Sequence, residues 1–309
     1  MSTIAEWAHA FMAPSPLALL IAVILALTIP IFLHSVVFKA SGLTTLPSIL
    51  LIGPSGSGKT SLLTLVSPYL LRTPKFAVLI PPQFERGTKP AQTHTSQSPI
   101  SVECHLPVGK TAESDKYRSD NDPTNLAHKK FLLIDTPGHG KLRHHALDNL
   151  TNPQNLKGII FLADAAILSA GDEGLRSTAD YLHDVLLLLQ KRMESKNKAA
   201  KKLKEIPILI AANKMDLFTA LPAALVKSSL ETEITKVRTS RSKGLLDSGI
   251  GMEDDSEEKD DWLGEVGSKD FKFSQMEEFD VLVEVAGGNV SGGEGPVVEK
   301  WWRWIAERL

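Results

Sequence analysis

Short apolar runs recur along the chain, and each is bounded by residues that favour turns. The runs that fit a buried β-strand are Ser48–Ile52, Phe131–Ile134, Gly158–Ala163, Ile208–Ala212 and Asp280–Val285. Between several of them, apolar residues recur at helical spacing, as at Thr60–Leu71 and Ser177–Met193. Strands that alternate with helices predict an α/β fold, with a mostly parallel sheet covered by helices on both faces.

The last residues, VVEKWWRWIAERL, show another helical pattern. Val298, Trp301, Ile305 and Leu309 fall on one face of such a helix. We expect this helix to close the fold by packing on the sheet, with a partner surface built from the tryptophans as the alternative.

The N-terminal part differs, because no charged residue interrupts it between residues 17 and 33. A helix over residues 17–38 would be about 33 Å long, close to the hydrocarbon thickness of a bilayer. A buried helix of this length normally has a polar face, and a cleaved signal peptide normally begins with a basic residue. Since the first Lys or Arg is Lys39, the positive-inside rule predicts a lumenal segment 1–16, a transmembrane helix 17–38 and a cytosolic domain 39–309.

Two polar stretches interrupt the alternating pattern of the cytosolic part. Residues 83–129 are rich in Ser, Thr, Pro and charge, and residues 236–269 include the acidic run Glu253–Asp261. Both are predicted to be inserted loops. The basic stretch Lys191–Lys204 is predicted to be a solvated helix end and loop, with contact to ribosomal RNA or anionic lipid as the alternative.

Composition narrows the classes of function. The 309 residues carry a formal net charge of −2, so no overall positive field favours nucleic acid, and direct sequence-specific nucleic acid binding is not expected. Hydrophobic residues at 43% and charged residues at 23% exclude a wholly disordered chain and a polytopic membrane protein. The single cysteine, Cys104, excludes an intrachain disulfide and a zinc site made of several cysteines.

The first predicted strand is followed at once by the segment GPSGSGKT, residues 53–60. It matches the phosphate-loop pattern of the P-loop NTPases, with a strand before it and a helix after it. Glycines let successive backbone N–H groups converge on phosphate oxygens, and the helix adds its positive end. Lys59 is expected to reach the β- and γ-phosphates, and Thr60 to offer its hydroxyl to Mg²⁺. The predicted nucleotide-binding residues of this segment are Gly53, Ser55, Gly56, Ser57, Gly58, Lys59, Thr60 and Ser61.

A second motif, Asp135-Thr136-Pro137-Gly138, ends the strand Phe131–Ile134. Asp135 is expected to hold Mg²⁺ through water, as a Walker-B carboxylate does. The backbone N–H of Gly138 is expected to contact a γ-phosphate and thereby to sense its loss. The motif is weak alone, but it is informative at the end of an apolar strand downstream of a phosphate loop.

A third motif, NKMD, follows the strand Ile208–Ala212. The carboxylate of Asp216 can accept hydrogen bonds from two adjacent donors of guanine, N1–H and the 2-amino group, which adenine lacks. Lys214 is expected to lay its methylene stem along the base, and Asn213 to tie this loop to the phosphate loop. Guanine is therefore the predicted base.

The motifs GPSGSGKT, DTPG and NKMD, in this order, resemble those of the Arf- and Ras-like small GTPases. The string DTPGH followed by Lys141-Leu142-Arg143, the segment Phe271-Lys272-Phe273 and the tryptophan-rich end resemble the beta subunits of the signal recognition particle receptor. This resemblance implies a single-pass endoplasmic reticulum protein that binds GTP, GDP and Mg²⁺. In its GTP state it would hold the N-terminal domain of the receptor's alpha subunit for cotranslational targeting. The ribosome, the translocon and the lipid bilayer are the further expected partners.

The resemblance also implies roles for three residues that no motif determines. Ala286 would donate its backbone N–H to guanine O6, and Thr95, chosen among the hydroxyl residues 93–98, would contact Mg²⁺ and the γ-phosphate. His139 stands where many small GTPases have a glutamine that orients the attacking water, and it is expected to do the same, with packing in its loop as the alternative. Hydrolysis is expected to be slow or partner-dependent, because it also needs positive charge from elsewhere.

Two other functions fit the same motifs. One is an Arf- or Sar-type GTPase in vesicle budding, and the other is a scaffold that keeps GTP without hydrolysing it. An ATP-using P-loop kinase is disfavoured by NKMD, since that motif reads guanine.

Overall fold

The chain forms two compact units, Met1–Thr45 and Leu46–Leu309. The computed structural model describes residues 16–37, 46–66, 93–105, 130–151, 155–198, 205–247, 262–265, 267–292 and 295–309.

The first unit contains helix α1, Pro16–Val37, with Pro30 inside it. It covers nearly the same residues as the helix predicted at 17–38. Across the residues described, no helix combines the length and the apolar character needed to cross a membrane. Except for Pro16, the predicted lumenal segment 1–16 lies outside the described residues.

The second unit is built on a sheet whose described strands are ordered β2-β3-β1-β4-β5-β6. The strands are β1 Ser48–Ile52, β2 Ile100–His105, β3 Lys130–Asp135, β4 Leu156–Asp164, β5 Ile208–Asn213 and β6 Val283–Gly287. Neighbouring strands are parallel, except that β2 runs antiparallel to β3. The prediction of a mostly parallel sheet is confirmed.

Helices connect the strands and cover both faces of the sheet. They are α2 Lys59–Val66, α3 His144–Thr151, α4 Ile167–Ala170, α5 Asp172–Lys198, α6 Ala223–Asp247 and α7 Glu299–Arg308. Two 3₁₀ helices lie at Gly140–Leu142 and Phe273–Phe279. The helix predicted at 60–71 is described as far as Val66, and α5 extends into the basic stretch as far as Lys198.

The sheet separates two hydrophobic clusters, because successive residues of a strand point to opposite faces. In β1, Leu50 and Ile52 pack with α3, α5 and α6, whereas Ile49 and Leu51 pack with α2 and α7. The tryptophans of α7 are all buried in the second cluster: Trp301, Trp302 and Trp304. The expectation that the C-terminal helix packs on the sheet is therefore confirmed.

Strand β2 lies within residues 83–129, so the prediction of a loop there is wrong for Ile100–His105. Its alternate residues Ile100, Val102 and Cys104 pack against the second cluster. The sequence signal of this edge strand is weak, because only three alternating residues of its six face the core.

Helix α6 runs to Asp247, so the prediction of a loop from residue 236 is wrong for residues 236–247. In this part of the helix Val237 and Arg238 are buried, so it has its own contact with the core. The acidic run lies outside the described residues. The last strand begins at Val283 and not at residue 280, because Asp280 ends a 3₁₀ helix in the left-handed region with φ 54°.

One buried side chain holds the segment after the acidic run against α6. Arg238 is only 2% exposed, and its guanidinium donates to the carbonyl oxygens of Leu263, Ser268 and Lys269 at 2.7–3.2 Å. The guanidinium also lies 4.3 Å from the centre of the Trp262 ring. The planar fork of arginine allows all of these contacts at once.

We predict that Arg238→Met lowers the free energy of unfolding by about 2–4 kcal/mol, because one buried and two partly buried hydrogen bonds to carbonyls are lost. Urea unfolding of the purified protein measures this loss. Arg241→Met is the matched control on the same helix, since Arg241 pairs with the partly exposed Asp180 and Asp184 and should cost less than about 1 kcal/mol. Equal losses for the two variants would contradict the role of Arg238.

Candidate functional site

The polar motifs lie together at one edge of the sheet, because parallel strands end at the same edge. The segment GPSGSGKT follows β1, Asp135 is the last residue of β3, Asp164 is the last residue of β4, and Asn213 is the last residue of β5. This arrangement brings residues from distant parts of the sequence into one crevice.

The phosphate loop turns sharply between β1 and α2. Gly53, Gly56 and Gly58 all have positive φ angles. At Gly58, with φ 100°, a Cβ would also collide with Nδ2 of Asn213, so glycine is required on two grounds. The loop and the NKMD motif therefore fit each other closely.

Lys59 is buried at the base of this loop. Its Nζ donates to the carbonyl oxygens of Gly53 and Pro54, both at 2.8 Å. Burial lowers the pKa of Lys59 to about 8, and the charge of Asp135 opposes this shift. The ammonium is thus poorly hydrated and held where phosphate oxygens would approach, as expected for the lysine of a phosphate loop.

A cluster of oxygen atoms surrounds Asp135. The hydroxyl of Thr60 donates to Asp135 Oδ2 at 2.7 Å, and the hydroxyl of Ser96 donates to the same oxygen at 3.2 Å. Burial raises the pKa of Asp135, whereas the hydrogen bonds from Thr60 and Ser96 and the charge of Lys59 lower it.

The other carboxylate oxygen, Asp135 Oδ1, is buried and has no hydrogen-bond partner among the described residues. An unpaired buried acceptor beside two hydroxyls suits a hard cation, which takes oxygen ligands and keeps several waters. Thr60 and Asp135 therefore fit the predicted Mg²⁺ site.

A cavity of about 210 Å³ opens above these residues. Its walls are Ser55, Gly56, residues 58–61, residues 93–96, Thr136 and Gly138. Thr95, predicted to bind Mg²⁺, lines this cavity, and its neighbour Ser96 makes the hydrogen bonds to Asp135 and Thr60. Sequence reasoning missed Ser96, since residues 93–98 include four hydroxyl side chains and nothing in their order distinguishes one of them.

Gly138 closes the cavity against the phosphate loop. A Cβ on this residue would lie 2.6 Å from the backbone nitrogen of Ser55, so no side chain fits there. The next residue, His139, is exposed, and its Nδ1 accepts a hydrogen bond from the backbone N–H of Lys141 at 3.3 Å. His139 thus caps the 3₁₀ helix Gly140–Leu142, and its role in positioning water stays a prediction.

The NKMD loop is joined to the phosphate loop through Asn213. Its Nδ2 donates to the carbonyl of Ser57 at 2.7 Å, and its Oδ1 accepts from the backbone N–H of Val290 at 3.0 Å. The predicted tie between the two loops is confirmed. Asp216 lies exposed on the same loop.

Ala286 lies within β6, where its carbonyl accepts a hydrogen bond from Trp301 Nε1 at 3.1 Å. The next residue, Gly287, lies against the NKMD loop, since a Cβ there would collide with the Met215 sulfur. The predicted contact of Ala286 with guanine stays a prediction.

Sequence reasoning also missed Asp164. Its buried carboxylate pairs with Lys214 Nζ at 2.5 Å. The sequence signal that could have identified Asp164 is the same as for Asp135, because each is an aspartate at the end of a buried strand.

Comparison with known proteins places this site in a family. A sequence model of the signal recognition particle receptor beta subunit matches residues 44–281. The Saccharomyces cerevisiae signal recognition particle receptor subunit beta is 32% identical over 266 residues, covering 85% of this chain and 84% of that protein. The human subunit beta is 31% identical and covers 62% of each chain.

Solved structures agree with this match. A chain from the Chaetomium thermophilum receptor SRb-GTP/SRX complex superposes with a TM-score of 0.65 at 47% identity, covering 85% of this chain and all of that chain. The SRb-GDP-Mg structure from the same organism gives 0.58 at 43% identity, covering 87% of this chain and all of that chain. The fold, the order of the motifs and the family match agree, and the chain belongs to the family of signal recognition particle receptor beta subunits.

Proposed function

We propose that this protein is a membrane-anchored GTP-binding subunit of the signal recognition particle receptor. In its GTP state it recruits the alpha subunit for cotranslational targeting to the endoplasmic reticulum. The observation that carries the proposal is the cluster of Thr60, Ser96 and Asp135 beside the buried Lys59. This cluster supplies the cation and the oxygen ligands that a nucleotide phosphate and Mg²⁺ require.

Each residue of the cluster has a distinct part in binding. Lys59 would exchange its two carbonyl acceptors for phosphate oxygens, and Thr60 would turn its hydroxyl from Asp135 to the metal. The relatives that support this assignment were solved as SRb-GTP/SRX and SRb-GDP-Mg. Mg²⁺ bound here would neutralise charge on the β- and γ-phosphate oxygens.

The nucleotide state would be read by two segments next to the phosphates. Residues 93–96 and Gly138 line the same cavity, so a γ-phosphate contacting both would hold them in one arrangement. The 3₁₀ helix Gly140–Leu142 follows directly and would move with Gly138. We assign the docking surface for the alpha subunit's N-terminal domain to these segments, with the ribosome and translocon reached through the assembled receptor.

The proposed anchor is residues 17–38, with residues 1–16 in the lumen and the nucleotide-binding domain in the cytosol. Its support is the uncharged sequence and the exposure of the described apolar side chains of α1. These side chains are Leu20, Val23, Ile24, Leu25, Leu27 and Ile29. A stretch of this kind is stable in lipid but not in water. Extraction of membranes with alkaline carbonate separates this function from Arf- or Sar-type binding through an amphipathic helix, because only a spanning segment stays in the pellet.

Hydrolysis is proposed to be slow or partner-dependent, with His139 orienting the water. A scaffold that never hydrolyses GTP is the remaining alternative. Turnover measured with and without the alpha subunit separates the two.

We predict that Lys59→Ala weakens GTP binding by about 10- to 100-fold, because charge-assisted hydrogen bonds to phosphate are lost. Capture of the alpha subunit's N-terminal domain from detergent solution should fall in parallel. Lys130→Ala is the control, since Lys130, the first residue of β3, pairs at the surface with Glu103 of the edge strand β2. Undiminished capture by nucleotide-free protein would refute the nucleotide-dependent switch.

We predict that Asp216→Asn shifts the preference from guanine to xanthine nucleotides. Xanthine has an oxygen acceptor where guanine has its 2-amino donor, and the asparagine amide can donate to it. Competition between GTP and xanthosine triphosphate measures the preference of both proteins. A variant that still prefers GTP as strongly as the wild type would show that Asp216 does not contact the base.

A further inference from the structure

The buried carboxylate at the end of β4 makes contacts on both of its oxygens. Asp164 is 4% exposed and lies in register opposite Asn213 of β5. Its Oδ1 accepts from the backbone N–H groups of Ala166 and Ile167 at 3.0 and 3.2 Å. Its Oδ2 lies 2.5 Å from Lys214 Nζ. One oxygen thus caps the following turn, and the other is left for the lysine of NKMD.

The backbone of Lys214 is held in a defined conformation by the turn that follows it. Lys214 has φ 63°, in the left-handed region that non-glycine residues rarely adopt. Its carbonyl accepts from the N–H of Leu217 at 3.1 Å, which closes the turn that carries Asp216. With the backbone held by the turn and the ammonium held by Asp164, the methylene stem is fixed at both ends.

The charge of Asp164 is not needed to join the two loops. Backbone hydrogen bonds already join them, from Ala165 N–H to the Asn213 carbonyl at 3.0 Å and from Leu221 N–H to the Ala165 carbonyl at 3.1 Å. The cap would be served equally well by a neutral asparagine. The contact that requires a carboxylate is the ion pair with Lys214, which is a residue of the NKMD loop.

We propose that Asp164 is a positioning residue for base recognition, which sets the Lys214 stem in place before the nucleotide arrives. This inference rests on the proposed function, in which Lys214 packs along the guanine ring. A stem that is already ordered loses less conformational entropy when the base binds, so the complex is tighter and dissociates more slowly. Asp164 acts through Lys214 and does not itself contact the nucleotide.

The test is the dissociation rate of a fluorescent guanosine diphosphate from the full-length protein with Mg²⁺ present. Asp164→Asn keeps the cap and removes the charge, so it should raise the rate about tenfold, the value of one lost contact. Lys214→Met keeps an apolar stem without an ammonium. The double variant should dissociate no faster than Lys214→Met alone, because Asp164 has no other route to the base. Glu103→Gln, which removes a carboxylate 2.9 Å from Lys130 on the surface, should leave the rate unchanged.

Three results would overturn the inference. The first is a wild-type rate in Asp164→Asn, and the second is additive effects in the double variant. The third is a urea midpoint that falls in Asp164→Asn as far as in a core variant, which would indicate a structural role alone. Failure of the proposed function is recognised separately, since the wild-type protein itself would then show no preferential binding of the guanine nucleotide.

Discussion

The side-chain amide of Asn213 is the contact on which the geometry of the site depends. It donates to the carbonyl of Ser57 and accepts from the backbone N–H of Val290, and it is buried. It therefore holds three loops, those after β1, β5 and β6, at constant separation. An asparagine can do this because its amide carries a donor and an acceptor on one rigid plane. The phosphate loop, the NKMD loop and the loop after β6 are thereby joined by one side chain.

The electrostatics of the crevice are arranged around two buried groups of opposite charge. Lys59 and Asp135 are both poorly hydrated. Burial lowers the pKa of Lys59 and raises the pKa of Asp135, and each shift favours the neutral form. A nucleotide phosphate and Mg²⁺ would supply the partner that each group needs, so binding relieves a cost already present in the fold. Perturbed groups of this kind are typical of functional sites. Residues 93–96 and Gly138 line the same cavity and would respond to what fills it.

Sequence reasoning predicted best those features in which local pattern and topology agree. The order of strands and helices was readable because buried parallel strands are continuous apolar runs, and Asn213 could be assigned to the phosphate loop because both lie at carboxyl ends of strands. Strand β2 and helix residues 236–247 were missed because few of their residues are buried, so the apolar positions are too few to show a period in a largely polar sequence. Ser96 could not be distinguished from Thr95, since only the fold determines which hydroxyl faces Asp135. Asp164 was overlooked because its partner, Lys214, is brought close by strand pairing and not by sequence proximity.

The selectivity proposed for the crevice is for guanine nucleotides. It is tested most directly by equilibrium competition, in which GTP and ATP each displace a fluorescent guanosine diphosphate from the purified protein with Mg²⁺ present. We expect displacement by GTP at concentrations at least about a hundredfold lower than by ATP, because adenine would leave the carboxylate of Asp216 without its two donors. Displacement by ATP at the same concentrations as GTP would contradict it.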